Sequence, residues 1–399
     1  MKITRRAVLR LTGAAAASLA LSSCGAAGTA RLGSGIPSWL QKVLGSGLAS
    51  SAAPSAPESA PAESQLGAAA LAAYDADPLT GAAKRSNGRI VGVMVNNISN
   101  TQRQNARPQR GLGSADLLIE SKVEGGITRF CAVYHDVDAV PEVGPLRSGR
   151  DQFLQLLMPW QALYHHDGES AACTKFISVY NYSGLNIGGK SYFDTPTHPH
   201  VAHRDSRGRD VAFEHTEFTS GAEIRQAADK AGIGLKYDYD TTFFRFADYR
   251  TGQENKMQGA ASGRTVNIVH SDHYKTSFVY DRWDRTYKMS MYSRISSAFE
   301  DTVDELTGKQ LRFDNLAVCF GQIDRYPGDS GDVQQVSYIS GGEVYFFTRG
   351  GVEKGTWQKA SPEHPLCLYD HNGAELLFNR GKTYLAIVDD DEFVNFSYQ

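Results

Sequence analysis

Between Gly144 and Asp151 the chain reads Gly-Pro-Leu-Arg-Ser-Gly-Arg-Asp. Ser148 followed three positions later by Asp151 approximates a capping box, so a helix is expected to open there. A helix start offers free backbone N–H groups and a positive dipole, which favour an anion. Arg147 and Arg150 flank that start, and planar guanidinium forks suit phosphate or carboxylate. The competing reading is structural, with these arginines paired to Glu120, Glu124 or Asp151 as a brace. Asp116, Glu120 and Glu124 lie just before Gly125-Gly126-Ile127-Thr128-Arg129. On an extended segment Glu120 and Glu124 share a face. Two carboxylates near arginines could do general acid–base work such as glycoside hydrolysis, or could simply be salt-bridged at a turn.

Histidines add to both readings. Of 11 in the chain, seven fall at positions 135, 165, 166, 198, 200, 203 and 215. His165 leaves an expected strand end, a common place for functional loops. His215 is the other imidazole expected near the arginines. His198, His200 and His203 are closely spaced, but the spacing is no zinc pattern, and no metal is expected. Asn97 and Arg107 follow the first expected strand, where amides read sugar hydroxyls or peptide groups or cap turns. Trp357 and Tyr369 are expected in the core rather than as stacking platforms. The chain contains no P-loop, dinucleotide fingerprint, GxSxG or HExxH, and no cofactor is expected.

Strands and helices alternate around these residues. Apolar runs at 89–95, 127–135 and 162–165 read as strands, and the helical period appears at 148–158, 171–180 and 221–231. This pattern predicts an α/β (α+β) N-terminal domain over 87–255. From Arg264 the chain changes to short strands separated by Asp, Gly and Asn turns. Ser340-Gly341-Gly342 and Arg349-Gly350-Gly351 read as hairpin turns. A smaller antiparallel β-rich C-terminal domain is expected over 264–392, closing with a strand at 382–388.

The N-terminus reads as targeting. Lys2, Arg5, Arg6 and Arg10 precede an apolar stretch from Leu11 to Leu21, too short to cross a bilayer as a helix. Leu21-Ser22-Ser23-Cys24 then fits a lipoprotein signal over residues 1–23, with lipid on Cys24 and the folded part held at the extracytoplasmic face of the membrane. Export by the twin-arginine or the general secretory route both fit. Residues 24–86 are expected to form a tether rich in Ala, Ser, Pro and Gly. Removing residues 1–23 takes the net charge from −3 to −7, which argues against a general nucleic-acid binder. Cys131, Cys173, Cys319 and Cys367 contain no CxxC pair, and core-strand contexts favour buried thiols over disulfides.

Several stretches resemble the YerB-type bacterial lipoprotein family: VGVMVNN (91–97), ARPQRGLGSADLLIE (106–120), VEGGITRF (123–130) and VGPLRSGRD (143–151) in the first half. In the second half they are VYD (279–281), KQLRFDNLAV (309–318), GGVEKGTWQK (350–359) and NRGKTYLAIV (379–388). Together they span most of residues 78–390. Residues 164–170 and 194–215 depart from the family pattern. The resemblance implies two domains and a membrane-anchored extracytoplasmic protein, with no established reaction. The leading expectation is a binding protein for an anionic wall polymer or peptidoglycan, through Arg147, Ser148, Arg150, Arg129, Asn97 and Arg107. The rivals are an envelope hydrolase or transferase using Glu120 or Glu124 with His165 or His215, and a protein-interaction scaffold.

Overall fold

The computed structural model describes residues 76–189, 201–239, 243–329 and 331–399. The leader, Cys24 and the cluster members His198 and His200 lie outside the described residues. Those residues that are described belong to one compact unit, 61–399. In the first region the main elements are β1 (Val91–Asn96), β2 (Leu117–Lys122), β3 (Thr128–Tyr134), α1 (Asp151–Leu157), β4 (Leu163–Asp167), α2 (Ala171–Val179), β5 (Asn186–Gly189) and α3 (Gly221–Ala231). The second region is strand-rich: β6 (Thr265–Val269), β7 (Lys275–Asp281), β8 (Thr286–Ser293), β9 (Ala298–Asp301), β10 (Asn315–Gly321), β11 (Gly342–Thr348), β12 (Gly351–Gln358), β13 (Cys367–Asp370) and β14 (Thr383–Asp389). A mixed α/β first region followed by an antiparallel, strand-rich second region is the architecture expected from sequence.

The two regions share one large sheet, ordered β13-β12-β11-β10-β14-β2-β3-β1-β4-β5. The strand at 382–388, expected to close the second domain, instead lies at the centre of this sheet. It pairs in parallel with β10 on one side and with β2 on the other. Both of its faces are buried. Tyr384, Ala386 and Val388 enter one hydrophobic cluster, and Leu385 and Ile387 enter the other. A nearly continuous apolar run is what a strand covered on both sides requires. One face of the large sheet carries α3 and the second sheet, in which β6, β7, β8 and β9 run antiparallel. The other face carries α1, α2 and the aromatic group of Trp160, Phe244 and Trp357.

Local chemistry accounts for the helices expected at 171–180 and 221–231. Ser170 Oγ accepts from Cys173 N at the start of α2 (3.1 Å). Ser220 Oγ caps α3 by accepting from Glu223 N (3.4 Å) and donates to Glu223 Oε2 (2.9 Å), and Gly232 closes the helix in the left-handed conformation (φ 68°), as such caps favour. The 349–351 hairpin forms with Arg349 and Gly350 both at positive φ, the turn that suits strand twist.

Three expectations are corrected. The helix begins at Asp151 rather than Ser148, because residues 145–147 are drawn into backbone pairing with β1. Ser148 therefore does not cap it, and Arg150 occupies the N-cap without a side-chain cap bond. No hairpin forms at 340–342. Tyr338 instead enters a short 3-10 turn, donates to Gln152 O (2.9 Å) and packs on Trp357, a tertiary anchor that overrides strand alternation. Residues 76–86, expected in the tether, are folded: Leu79 is fully buried, and Asp77 Oδ1 accepts from Leu79 N and Thr80 N.

Cys131, Cys173 and Cys319 are buried thiols, and none of the four cysteines forms a disulfide. Burial pushes the Cys131 and Cys319 thiols far up. Among the described residues, no helix is long and apolar enough to cross a membrane.

Candidate functional site

Parallel strands β1 and β4 pair from Val91–Leu163 to Val93–His165 and then part. The 145–147 segment enters between their ends. Asn96 N donates to Pro145 O (2.8 Å), Arg147 N to Met94 O (3.1 Å) and Asp167 N to Arg147 O (3.3 Å). This places Arg147 at the carboxyl end of parallel strands, the place where α/β sheets usually hold ligands.

Three arginines gather there around one carboxylate. Arg150 grips Glu124 with two bonds, Nε to Oε1 (2.6 Å) and NH2 to Oε2 (2.9 Å). Its NH1 donates to Gly149 O (2.6 Å). Arg129 is almost fully buried, donates through NH1 to Ser148 O (2.6 Å) and stands 3.7 Å from Glu124. Arg129 Nε has no partner. Burial lowers its proton affinity well below the usual arginine range, and neighbouring Arg150 and Arg147 push the same way. Arg147 is part-buried and makes no ion pair or side-chain hydrogen bond among the described residues. The brace foreseen for Arg150 and Glu124 is thus present, while Arg147 stands outside it.

The surrounding groups are shaped closely. His166 lies between Gly149 and Gly188, where a Cβ would stand 2.9 Å and 1.9 Å from its ring. Its Nδ1 faces Gly168 O and its Nε2 faces Asn186 Oδ1, both at 2.7 Å. Burial lowers the His166 pKa. His215 is held by Asn96 Nδ2 (3.1 Å) and Gln104 Oε1 (3.0 Å). Burial, aided by Arg147, Arg207 and Arg209 against Glu214, brings His215 down to about 4. A carboxyl pair was missed from sequence: Glu217 hydrogen-bonds to Asp167 and accepts from Arg204 (2.9 Å). Burial and the Asp167 charge raise Glu217, so the pair holds a proton where separate carboxylates would not. The available signal was Asp167 at a strand end, but nothing local in Glu-His-Thr-Glu-Phe pointed Glu217 toward it.

Glu120 and Glu124 are each engaged by groups other than His165 and His215. Glu120 is buried and accepts from Thr128 Oγ1 (2.7 Å), Asn97 Nδ2 (3.3 Å), Thr276 Oγ1 (3.0 Å) and Tyr384 OH (2.5 Å). His270, not His165 or His215, is the imidazole beside it, at 3.7 Å. Glu124 is engaged by Arg150. His165 Nδ1 faces Ile187 O (2.7 Å). Asp116 takes His135, accepting from its backbone N (3.0 Å) and lying 2.7 Å from Nδ1. Asn97 and Arg107 do meet: Arg107 Nε donates to Asn97 Oδ1 (3.0 Å). His203 lies between Glu142 and Glu223. Among the described residues, Glu353, Asp370 and His371 bring three possible metal-ligand atoms within 4.8 Å. Asp370 already accepts from Asn372 N and Ala374 N to form a turn.

Comparison with known proteins gives a consistent result. Residues 79–234 match the family model "Protein of unknown function (DUF3048) N-terminal domain", and residues 264–385 match its C-terminal domain. A Bacillus subtilis protein named "Putative lipoprotein YerB" is 28% identical over 320 residues, covering 78% of this chain and 86% of that protein. The crystal structure of YerB protein from Bacillus subtilis superimposes with a TM-score of 0.64 at 26% identity, covering 81% of this chain and 99% of that one. With both regions matched in order, the chain belongs to the DUF3048 family of YerB-like proteins.

Proposed function

We propose that this protein is a lipoprotein anchored through Cys24 at the extracytoplasmic face of the membrane, where it binds an anionic envelope component. The relative's name as a lipoprotein and the Leu21-Ser22-Ser23-Cys24 sequence support the anchor. The observation that carries the binding reading is the charge imbalance at the sheet end. Three guanidiniums face one contact carboxylate, with Arg147 unengaged and Arg129 Nε unpartnered. Uncompensated, partly desolvated guanidinium is costly unless an anion arrives. Anionic wall polymer and peptidoglycan carboxylates are the anions available outside a membrane.

The test is binding of the compact unit, residues 61–399, to purified wall sacculi with and without their anionic polymer. Arg147→Ala is compared alongside. Arg147 makes no hydrogen bond or ion pair to the fold, so the variant is expected to keep its stability within about 0.5 kcal/mol. Its affinity is expected to fall by about tenfold or more, as for loss of a charge-assisted contact. Unchanged affinity in a folded Arg147→Ala variant refutes the assignment.

A further inference from the structure

A cleft of about 380 Å³ lies between the 98–109 segment of the first region and strands β8 and β9 of the second. That volume is in the ~300–1,000 Å³ range of small-ligand sites. Arg107 lines it and is already oriented: Nε donates to Asn97 Oδ1 (3.0 Å) and NH1 to Tyr292 O (2.9 Å). Both acceptors are neutral, and Arg107 makes no ion pair among the described residues. Burial lowers this guanidinium to about 10, which marks how much hydration it has lost. A guanidinium has five N–H donors in a fixed fork, so donors remain after the two bonds that hold it.

Acidic groups line the same cleft. Asp301 Oδ1 is occupied by Ser290 Oγ (3.1 Å) and Gln310 Nε2 (2.9 Å). Buried Glu120 behind the cleft favours the charge on Arg107 most, without contacting it, and Glu300, which makes no ion pair among the described residues, favours it from the cleft wall. Gln102 and Asn105 supply amides on the first-region wall, and Met291 and Ile295 supply apolar surface on the other. The arrangement has a fixed cation and an acid in one cleft without contact between them. Its complement is a molecule carrying a carboxylate and an amine.

We propose that this cleft binds an amino acid or the end of a short peptide, with the ligand carboxylate on Arg107 and its amine on Glu300. Asn97 positions Arg107 through their hydrogen bond. The site is separate from the arginine cluster, so Arg147→Ala leaves it unchanged, and failure of one assignment does not decide the other.

Isothermal titration calorimetry of the full-length chain with Ala-Ala, its C-terminal amide, its N-acetyl derivative and free alanine tests this. Ala-Ala is expected to bind, and the amide to bind about tenfold or more weakly. Free alanine binding as well as Ala-Ala identifies the source as an amino acid; weaker binding identifies a peptide end. Because Arg107 is part of the fold, Glu300→Gln on exposed β9 is the variant of choice. It is expected to weaken Ala-Ala several-fold while leaving the N-acetyl derivative unaffected. Equal affinity for free acid and amide, absence of binding by Ala-Ala and alanine at millimolar concentration, or indifference to Glu300→Gln overturns the proposal.

Discussion

Replacing Glu120 by Gln separates a structural carboxylate from a catalytic one. Both carboxylate oxygens of Glu120 are taken: Oε1 by Thr128 and Asn97, Oε2 by Thr276 and Tyr384. Two of these donors come from the first region and two from the second. Hydrogen bonds to a charged group contribute roughly 1.5–3 kcal/mol, and a buried donor left without an acceptor costs roughly 1–3 kcal/mol. Gln exchanges one oxygen for an NH2 group, which turns a donor toward two existing donors. If these are the Thr276 and Tyr384 hydroxyls, rotation recovers part of the loss. The expected destabilisation is therefore about 2–4 kcal/mol, below the simple sum of four bonds. Tyr384→Phe removes a single donor and is expected to cost about 1.5–3 kcal/mol. In the double variant the losses overlap rather than add, because both act on one network. Urea unfolding of residues 61–399 measures all three. An E120Q protein within about 0.5 kcal/mol of the parent refutes the structural reading and makes Glu120 a candidate catalytic base again.

Other expectations follow from the same geometry. Arg150→Ala is expected to destabilise by about 2–4 kcal/mol, since Glu124 loses both its bonds in a largely buried setting. Arg150→Lys restores only part, because an ammonium cannot span both oxygens; full recovery in urea melts counts against the bidentate brace. His215 sits at about 4 against an ordinary value of 6.5, so between those pH values the unfolded chain binds the extra proton. Stability from this group is complete above pH 6.5 and is lost as the pH falls through 4, by at most about 3 kcal/mol. Buried His166 and His270, also lowered, act in the same direction. His215→Gln should therefore flatten part of the decline between pH 7 and 4.5 in denaturant titrations, and an unaltered slope refutes it. Truncation after residue 255 removes β14 and leaves Leu117–Ser121 of β2 as an unpaired edge. Residues 61–255 are expected to aggregate or to lack a cooperative urea transition; a sharp transition shows that the first region folds alone.

Local features of this fold were legible in the sequence. The Ser220–Glu223 cap, the Arg349-Gly350-Gly351 hairpin and the apolar runs of β1 and β3 follow from residue types within a few positions. Long-range features were not. The partners of Glu120 include Thr276 and Tyr384, 156 and 264 residues away, and no local pattern announces them. The same limit explains the arginine motif. Ser148 and Asp151 have capping-box spacing, but the 145–147 backbone is captured by β1, so the helix starts later and Ser148 contributes its carbonyl to Arg129 instead. Lys382–Val388 reads as a strand, yet its place at the sheet centre depends on β2 and β10 presenting edges on either side of it.

The placement of β14 has a consequence for the two candidate binding sites. Arg129, Arg147, Arg150 and Glu124 all come from the first region and are tied to β1, β3 and β4. The Arg107 cleft is different, because its guanidinium comes from the first region while Tyr292 O and Glu300 come from the second. Asn97 connects that cleft to the sheet interior: its Oδ1 accepts from Arg107 and Gln109, and its Nδ2 donates to Thr128 and Glu120. Glu120 in turn holds Thr276 of β7 and Tyr384 of β14. A ligand carboxylate on Arg107 would therefore act on a hydrogen-bonded chain that spans both regions. Binding in the cleft is expected to stabilise the junction between the regions by mass action. The arginine cluster has its own ties across the junction, since Tyr326 OH donates to Asp151 Oδ2 (2.6 Å) and Gly125 N to Asp332 Oδ2 (2.9 Å).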